Sequence, residues 1–155
     1  MTGAEAMARL QKICSQQEKC IQDVKRKLNE WKIPPDKEKI IIETLLKEKF
    51  IDELRYSRSF VRDKFSLNEW GRIKIVYVLR QKKINERIIQ TALEEIDIDV
   101  YMSTLTNLLH RKRKILKDKN IHTLSGKLIR YAQSKGFEYD IIRQSLQEVL
   151  GNERG

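Results

Sequence analysis

The sequence is poor in the residues that build sheets, tight turns and covalent cross-links. Its 155 residues include two prolines, six glycines, two cysteines and two histidines. Alternating strands bounded by turn residues are absent, which excludes a protein built from β-sheet. The cysteines are six apart, unlike a CxxC pair or a disulfide framework, and His110 and His122 have no cluster of ligand residues beside them. We therefore expect no metal and no other cofactor.

Long apolar runs are also missing. No segment approaches the roughly 18 consecutive apolar residues of a membrane span, so no membrane partner is expected. The stretch 1–10 contains Glu5 and Arg9 and lacks the apolar core of a signal peptide. Cys14 and Cys20 are then expected to be free thiols in a reducing compartment. Together these features predict a cytoplasmic protein.

Basic residues are abundant by contrast. The chain has 32 lysines and arginines against 22 acidic residues, for a net charge of +10 at pH 7. An excess of this size favours nucleic acid, an anionic membrane or an acidic protein groove as partner. The C-terminal third is the most basic, with eleven basic and six acidic residues in 99–155.

Three similar stretches recur along the chain, each with a helix that ends, a short break at an apolar residue and a further helix. They begin at Leu28, Leu79 and Ala132, about fifty residues apart. A spacing of this length is typical of helical repeats, whose units bury their apolar stripes by stacking. We predict an all-α fold, an elongated array of three tandem three-helix repeats at 1–51, 52–98 and 99–155.

Helix boundaries can be predicted from capping residues and prolines. Ser15 with Glu18 and Ser66 with Glu69 have the spacing of capping boxes, and Asn85 can cap the helix that follows it. Proline cannot continue a helix but fits its first turn, so the pair at 34–35 separates two helices. The segment 73–79 is apolar on more than one side, which suits a helix sandwiched between neighbours. The helices are expected near 4–14, 16–31, 36–49, 52–64, 68–82, 85–96, 99–118, 123–134 and 139–150.

The sequence contains no catalytic constellation. A glycine-rich phosphate loop, a nucleophile elbow and a paired-histidine metal motif are all absent, so we do not expect an enzyme. Trp31 and Trp70 lie beside basic residues, where packing is the simpler role and base stacking the alternative.

The basic residues are the candidate binding residues. Arginine can fork onto phosphate or carboxylate, although a bare charge run is also typical of a solvated face. The densest run is 111–114. The candidates are Arg55, Arg58, Arg62, Arg72, Lys74, Arg80, Lys82, Lys83, Arg111, Lys112, Arg113 and Lys114.

The middle of the chain resembles a known family. Residues 50–62, Phe-Ile-Asp-Glu-Leu-Arg-Tyr-Ser-Arg-Ser-Phe-Val-Arg, are similar to the signature of the RecX family of bacterial recombination regulators. Residues 68–75 with 79–84 resemble the second block of that family, and Gly136-Phe137 with the helix through Leu146 resembles the block of the third repeat. Lys83 stands where the family usually has glycine, so that corner has to accommodate a side chain.

The resemblance implies a three-repeat, all-helical regulator of the RecA recombinase in DNA repair, homologous recombination and the SOS response. Such a protein would lie in the groove of the RecA filament on single-stranded DNA and inhibit ATP hydrolysis and strand exchange. It would need no cofactor of its own. We expect a monomer whose partner is the RecA filament, with single-stranded DNA as a further direct partner.

Two other functions are open. Segment 72–93 has the helix, turn, helix pattern of a DNA-binding motif. Its second helix, however, offers Arg87 among Glu86, Glu94 and Glu95, which is poorly suited to base edges in a major groove. The other alternative is a helical scaffold that binds no nucleic acid. A salt titration of binding to single-stranded DNA separates these functions, since only phosphate contacts give a steep negative slope.

Overall fold

The computed structural model describes the backbone of residues 1–154 and the side chains of residues 1–151. Within this part of the chain every element of regular secondary structure is an α-helix, which confirms the predicted all-α fold. Nine helices follow one another: α1 Gly3–Gln16, α2 Ile21–Glu30, α3 Pro35–Lys47, α4 Glu53–Ser66, α5 Arg72–Gln81, α6 Glu86–Leu93, α7 Ile98–Ile115, α8 Ile121–Ser134 and α9 Tyr139–Arg154.

The helices group into two compact units. The first unit comprises residues 1–60 and 79–92, and the second comprises residues 61–78 and the chain from Leu93 onward. Helices α4 and α5 each contribute to both units, so these units do not coincide with the three repeats. The division into repeats at 51/52 and 98/99 stays a prediction.

The core of the first unit is built from stripes on α1, α2 and α3. Ala6, Leu10 and Cys14 recur every four residues along α1, so they lie on one face of the helix and are buried together. Residues from the following two helices and their ends complete the cluster. These are Val24, Leu28, Ile33, Ile41, Ile42, Leu45 and Ile51.

The second unit buries a comparable set on α7, α8 and α9. Tyr101, Leu105 and Leu109 continue a helical stripe along α7 and are fully buried. They belong to a core that also includes side chains of α8 and α9. These are Leu124, Leu128, Ala132, Ile142, Leu146, Val149 and Leu150.

Both predicted capping boxes are wrong. Ser15 and Ser66 lie in the last turns of α1 and α4, where their hydroxyls donate to the carbonyls of Gln11 and Arg62 at 2.7 and 2.6 Å. A serine hydroxyl can bond back to the carbonyl four residues earlier as well as cap a helix, and the sequence pattern does not distinguish the two. The cap predicted at Asn85 is confirmed, because its Oδ1 accepts from the Ile88 N–H at 2.9 Å.

Helix α5 is capped by other segments of the second unit. It has no capping side chain of its own, and three successive N–H groups at its start donate to residues far along the chain. Gly71 N–H bonds to the Lys135 carbonyl at 2.7 Å, Arg72 N–H to the Tyr101 hydroxyl at 2.9 Å, and Ile73 N–H to the Gly136 carbonyl at 2.9 Å. The N–H groups that a helix start leaves unsatisfied are therefore bonded within the second unit.

The three recurring stretches of the sequence are helix C-terminal corners. In the α2 corner (28–33), the Ile33 N–H bonds to the Leu28 carbonyl at 3.0 Å, and the residue between, Lys32, has a left-handed φ of 56°. This is the hydrogen-bond pattern of a Schellman motif. The α5 corner (79–84) and the α8 corner (132–137) repeat it, with Lys83 at φ 60° and Gly136 at φ 96° in the left-handed position. The α5 corner accommodates Lys83 in the conformation that glycine would take.

Candidate functional site

Positive charge in the second unit is concentrated between residues 111 and 135. This stretch holds nine lysines and arginines and one acidic residue, Asp118, whereas residues 94–99 hold four acidic residues and no basic one. Helix α7 accordingly begins with Asp99 in its first turn and ends with Lys112, Arg113 and Lys114 in its last. Charges placed in this order stabilise the helix dipole at both ends.

The first two cations of the run 111–114 contact other helices and corners. Arg111 Nη2 lies 2.5 Å from the carboxylate of Glu69, and this hydrogen bond raises the pKa of the guanidinium. Glu69 has a left-handed φ of 55° in the corner after α4. The ammonium of Lys112 lies 4.6 Å from the ring centroid of Tyr131 on α8, a cation–π distance. Both residues therefore bind inside the second unit.

The remaining two cations differ from each other. Arg113 Nη1 donates to the backbone carbonyl of Val149 at 2.9 Å and so links α7 to α9. Lys114 is exposed. The densest charge run in the sequence therefore has two exposed cations, Arg111 and Lys114, and Arg111 is ion-paired with Glu69.

Further exposed cations follow the run, and the sequence reasoning missed them. Lys117, Lys119 and Arg130 are exposed, while Asp118 pairs with Lys127 on α8 at 2.9 Å. Together with the contact of Lys112 with Tyr131, this pair sets α8 beside the end of α7. We call Lys114, Lys117, Lys119 and Arg130 the α7–α8 basic surface. The signal in the sequence was the scarcity of acidic residues across 111–135.

Three other predicted site residues lie in the second unit, and each has a partner there. Arg62 pairs with Glu95 at 3.5 Å, and Lys74 Nζ lies 4.6 Å from the ring centroid of Trp70. Arg72 is half-buried, with Nη1 3.0 Å from a Glu138 oxygen.

The ion pair of Arg72 with Glu138 is part of a larger cluster around Tyr101. The Arg72 guanidinium lies 4.2 Å from the Tyr101 ring centroid, and the Tyr101 hydroxyl donates to Glu138. Phe65 and Phe137 pack on the same ring, with centroid distances of 5.7 and 5.1 Å. Burial is the main cause that raises the pKa of Tyr101, with the Glu138 bond second. The cluster stabilises the start of α5.

Two predicted site residues on α4 lie in the first unit. Arg55 Nε contacts both carboxylate oxygens of Glu18, at 2.8 and 2.9 Å, and its Nη2 donates to the Lys49 carbonyl at 3.0 Å. Arg58 is half-buried. Arg55 therefore joins the segment after α1 to the corner after α3.

The last three predicted site residues lie around the α5 corner. Arg80 forms an exposed pair with Glu86, 2.5 Å apart, and Lys83 is exposed in its left-handed conformation. Lys82 Nζ lies 2.6 Å from Asp23 Oδ1. Burial disfavours the charged form of Asp23, yet hydrogen bonds from Lys82 and the Cys20 N–H lower the pKa of this carboxyl below its ordinary value.

The thiols and tryptophans have structural surroundings. Cys14 and Cys20 are free and buried, and burial raises the pKa of the Cys20 thiol to about 11, which makes it a poor nucleophile. Both tryptophans are half-buried, with Arg9 5.9 Å from the Trp31 centroid. Among the described helices none has the length and apolarity to cross a bilayer, and within residues 1–151 no three potential ligand side chains gather into a metal site.

The chain matches family models over its second and third parts. Residues 52–93 match "RecX, second three-helix domain", and residues 99–146 match "RecX, third three-helix domain". The protein named "Regulatory protein RecX" from Clostridium perfringens is 32% identical over 84% of this chain and 62% of its own length. The protein of that name from Prosthecochloris aestuarii is 31% identical over 72% of each chain. The chain thus spans about three fifths of the clostridial relative.

Two solved structures share the fold. One, titled "Crystal structure of regulatory protein RecX", is 24% identical with a TM-score of 0.85, covering 94% of this chain and 71% of that one. The other is RecX from Lactobacillus salivarius, 23% identical with a TM-score of 0.85, covering 95% and 96%. At these identities the likeness shows the helical fold alone.

Proposed function

Because the chain belongs to the RecX family, we propose that it is a non-enzymatic regulator that binds the RecA filament on single-stranded DNA and lowers its ATPase and strand-exchange activity. The relatives carry the name of regulatory proteins, which supports the regulatory part of the proposal. The partner, the inhibitory direction, the monomeric state and the cytoplasmic location belong to the proposal.

The observation that carries the proposal is the α7–α8 basic surface. Lys114, Lys117, Lys119 and Arg130 are exposed on a stretch with a single acidic residue, and that residue pairs with Lys127. Exposed cations without competing carboxylates attract the phosphates of a nucleic acid. A filament that carries single-stranded DNA offers such phosphates together with a protein surface.

A sequence-specific helix-turn-helix function fits the described residues less well. The candidate recognition helix, α6, has eight residues and buries Ile89 and Ala92 completely. Glu86 in its first turn pairs with Arg80, which removes an arginine from base readout. A scaffold without nucleic acid would leave the basic surface unexplained.

The test measures recombinase ATPase on single-stranded DNA with and without this protein. A variant in which Lys114, Lys117, Lys119 and Arg130 are all changed to Glu should lose most of the inhibition. A matched control reverses four exposed lysines of the first unit, Lys12, Lys37, Lys39 and Lys47, and changes the net charge by the same amount. The control should inhibit as the unchanged protein does.

A salt titration of binding to single-stranded DNA supplies the second readout. Each lost phosphate contact lowers the slope of log affinity against log salt by about 0.7. The quadruple variant should show a smaller slope and the control an unchanged one. If recombinase ATPase stays constant up to stoichiometric amounts of the unchanged protein, the regulator proposal is wrong and the scaffold gains support.

A further inference from the structure

One side of α5 is apolar and exposed to solvent. The sequence predicted that segment 73–79 is sandwiched between neighbours, and this holds for Ile75 and Leu79, which are fully buried. Ile73 and Tyr77 lie one helical turn apart and are 56% and 60% exposed. Trp70, half-buried, precedes the helix on the same spacing and reaches its first turn through the contact with Lys74. We call Trp70, Ile73 and Tyr77 the α5 strip.

The charged side chains against the Trp70 ring of the α5 strip are basic, and the neighbouring Glu69 is ion-paired with Arg111. Lys64 and Lys74 place their ammonium groups 5.0 and 4.6 Å from the centroid of the Trp70 ring. Between Trp70 and Asn85 the sequence contains five basic residues and no acidic one, and three of these five are ion-paired with Glu138, Glu86 and Asp23. An exposed apolar surface bordered by lysines is characteristic of a binding site for a partner of opposite charge.

The chain offers an internal contrast. Ile98 and Val100 at the start of α7 are each 50% exposed, nearly as much as Ile73, but they stand beside Asp97 and Asp99. Ile98 and Val100 are therefore apolar residues of similar exposure with acidic rather than basic neighbours, and they serve as the matched control for the α5 strip.

The chemistry of the strip favours a peptide over a nucleic acid. The aromatic ring of Trp70 already has two ammonium groups against it. The more exposed members are an aliphatic side chain and a phenol at the i, i+4 spacing by which helix surfaces receive apolar anchors. Bases stack on aromatic faces; Tyr77 provides one and Ile73 does not, so the strip is not a continuous stacking surface.

We propose that the α5 strip docks an acidic segment of the recombinase whose apolar side chains contact Ile73 and Tyr77 while its carboxylates meet Lys64 and Lys74. The identity of the partner rests on the proposed function. The apolar anchors supply affinity, and the lysine border selects acidic over basic segments. This face is separate in sequence and in composition from the α7–α8 basic surface.

The experiment compares the Ile73→Ser/Tyr77→Ser variant with the Ile98→Ser/Val100→Ser control in the full chain. Fluorescence anisotropy measures binding to the recombinase filament and, separately, to free single-stranded DNA. We expect the first variant to bind the filament at least about tenfold more weakly, since buried anchors commonly contribute this much. Its DNA binding should be unchanged, and the control should match the unchanged protein in both assays. Circular dichroism checks that both variants are folded.

A second arm does not depend on the recombinase. A synthetic helical peptide with leucines at i, i+4 among glutamates is compared with the same peptide carrying lysines in place of the glutamates. The unchanged protein should bind the acidic peptide at least about tenfold more tightly than the basic one, and the Ile73→Ser/Tyr77→Ser variant should lose that preference.

The remaining outcomes contradict the docking site. Unchanged filament binding by the strip variant shows that no partner uses the strip, and an equal loss of DNA binding assigns it to nucleic acid instead. If the unchanged protein does not bind the filament at all, the proposed function fails, and the peptide arm alone then decides for or against the strip.

Discussion

The α8 corner and the α5 corner have the same backbone but different neighbours. Both close with a Schellman pair of hydrogen bonds around a left-handed residue, Gly136 in one and Lys83 in the other. At Gly136 the backbone of the start of α5 lies directly against the corner, and a Cβ there would lie 2.7 Å from the Lys74 nitrogen and overlap the Lys74 Cβ. Lys83 is exposed.

The difference separates two reasons for glycine at a helix end. A left-handed φ alone tolerates other residues at a modest energetic cost, as Lys32, Lys49 and Lys83 demonstrate. A residue that has a left-handed φ and also packs against a neighbouring backbone has no room for a side chain. Packing therefore requires the glycine of the α8 corner. The α5 corner does not require glycine, since Lys83 takes the left-handed conformation there.

The largest expected effect is the loss of this packing. Gly136→Ala adds both a clash with Lys74 and left-handed strain, and Gly71→Ala drives a Cβ into the backbone of Gly136 and Phe137. Each should lower the free energy of unfolding by about 3 kcal/mol or more, measured by urea denaturation. In the control, Gly126→Ala within α8, the nearest atom to the new Cβ is Arg130 Nη1 at 3.5 Å, and stability should rise by roughly 0.5–1 kcal/mol. A loss below about 1 kcal/mol in both corner variants would contradict the close packing.

Removal of the Tyr101 hydroxyl weakens the same junction without a steric clash. Tyr101→Phe deprives the Arg72 N–H of its acceptor and Glu138 of a donor in a partly buried cluster. Unsatisfied groups of this kind cost about 1–3 kcal/mol each, so the thermal midpoint should fall by several degrees. Tyr139→Phe is the matched control, since its hydroxyl meets Arg143 at 3.1 Å on a half-exposed side chain. Equal midpoints for the two variants would show that the capping of α5 is dispensable.

The α5 corner depends on an ion pair where the α8 corner depends on backbone packing. Lys82, next to the left-handed Lys83, reaches Asp23, whose pKa is lowered. A carboxyl with a lowered folded-state pKa contributes stability above its ordinary pKa near 4 and loses it as pH falls through the folded value. Asp23→Asn should cost about 1–2 kcal/mol at pH 7 and flatten the decrease in stability between about pH 5 and pH 2. Urea midpoints measured across this pH range test the prediction. If the Asp23→Asn variant loses stability with acid as steeply as the unchanged protein does, Asp23 is not the source of that loss.

The sequence was sufficient for the fold and insufficient for the surface. Helical spacing and the Pro34-Pro35 break predicted the helices, because burial periodicity and proline geometry are local properties. The predictions of serine N-caps were wrong because a serine hydroxyl can either accept from an N–H at a helix start or donate to a carbonyl four residues earlier. The local sequence does not distinguish the two. Arg111 and Arg113 were indistinguishable from Lys114 in the sequence, since their partners Glu69 and Val149 are about 40 residues away. Partners distant along the chain therefore decide which cations of the run are held in contacts within the protein.

The smallest expected effect tests whether Lys83 is tolerated or preferred. Lys83→Gly removes the left-handed strain at φ 60° while the hydrogen bond from the Ile84 N–H to the Leu79 carbonyl stays in place. Glycine also gains unfolded-state entropy, which offsets part of the gain, so stability should rise by roughly 0.5–1 kcal/mol. Lys83→Ala keeps the strain and should leave the urea midpoint near that of the unchanged protein. If both variants instead lose stability, the lysine side chain itself stabilises the corner, and the α5 and α8 corners differ in more than their neighbours.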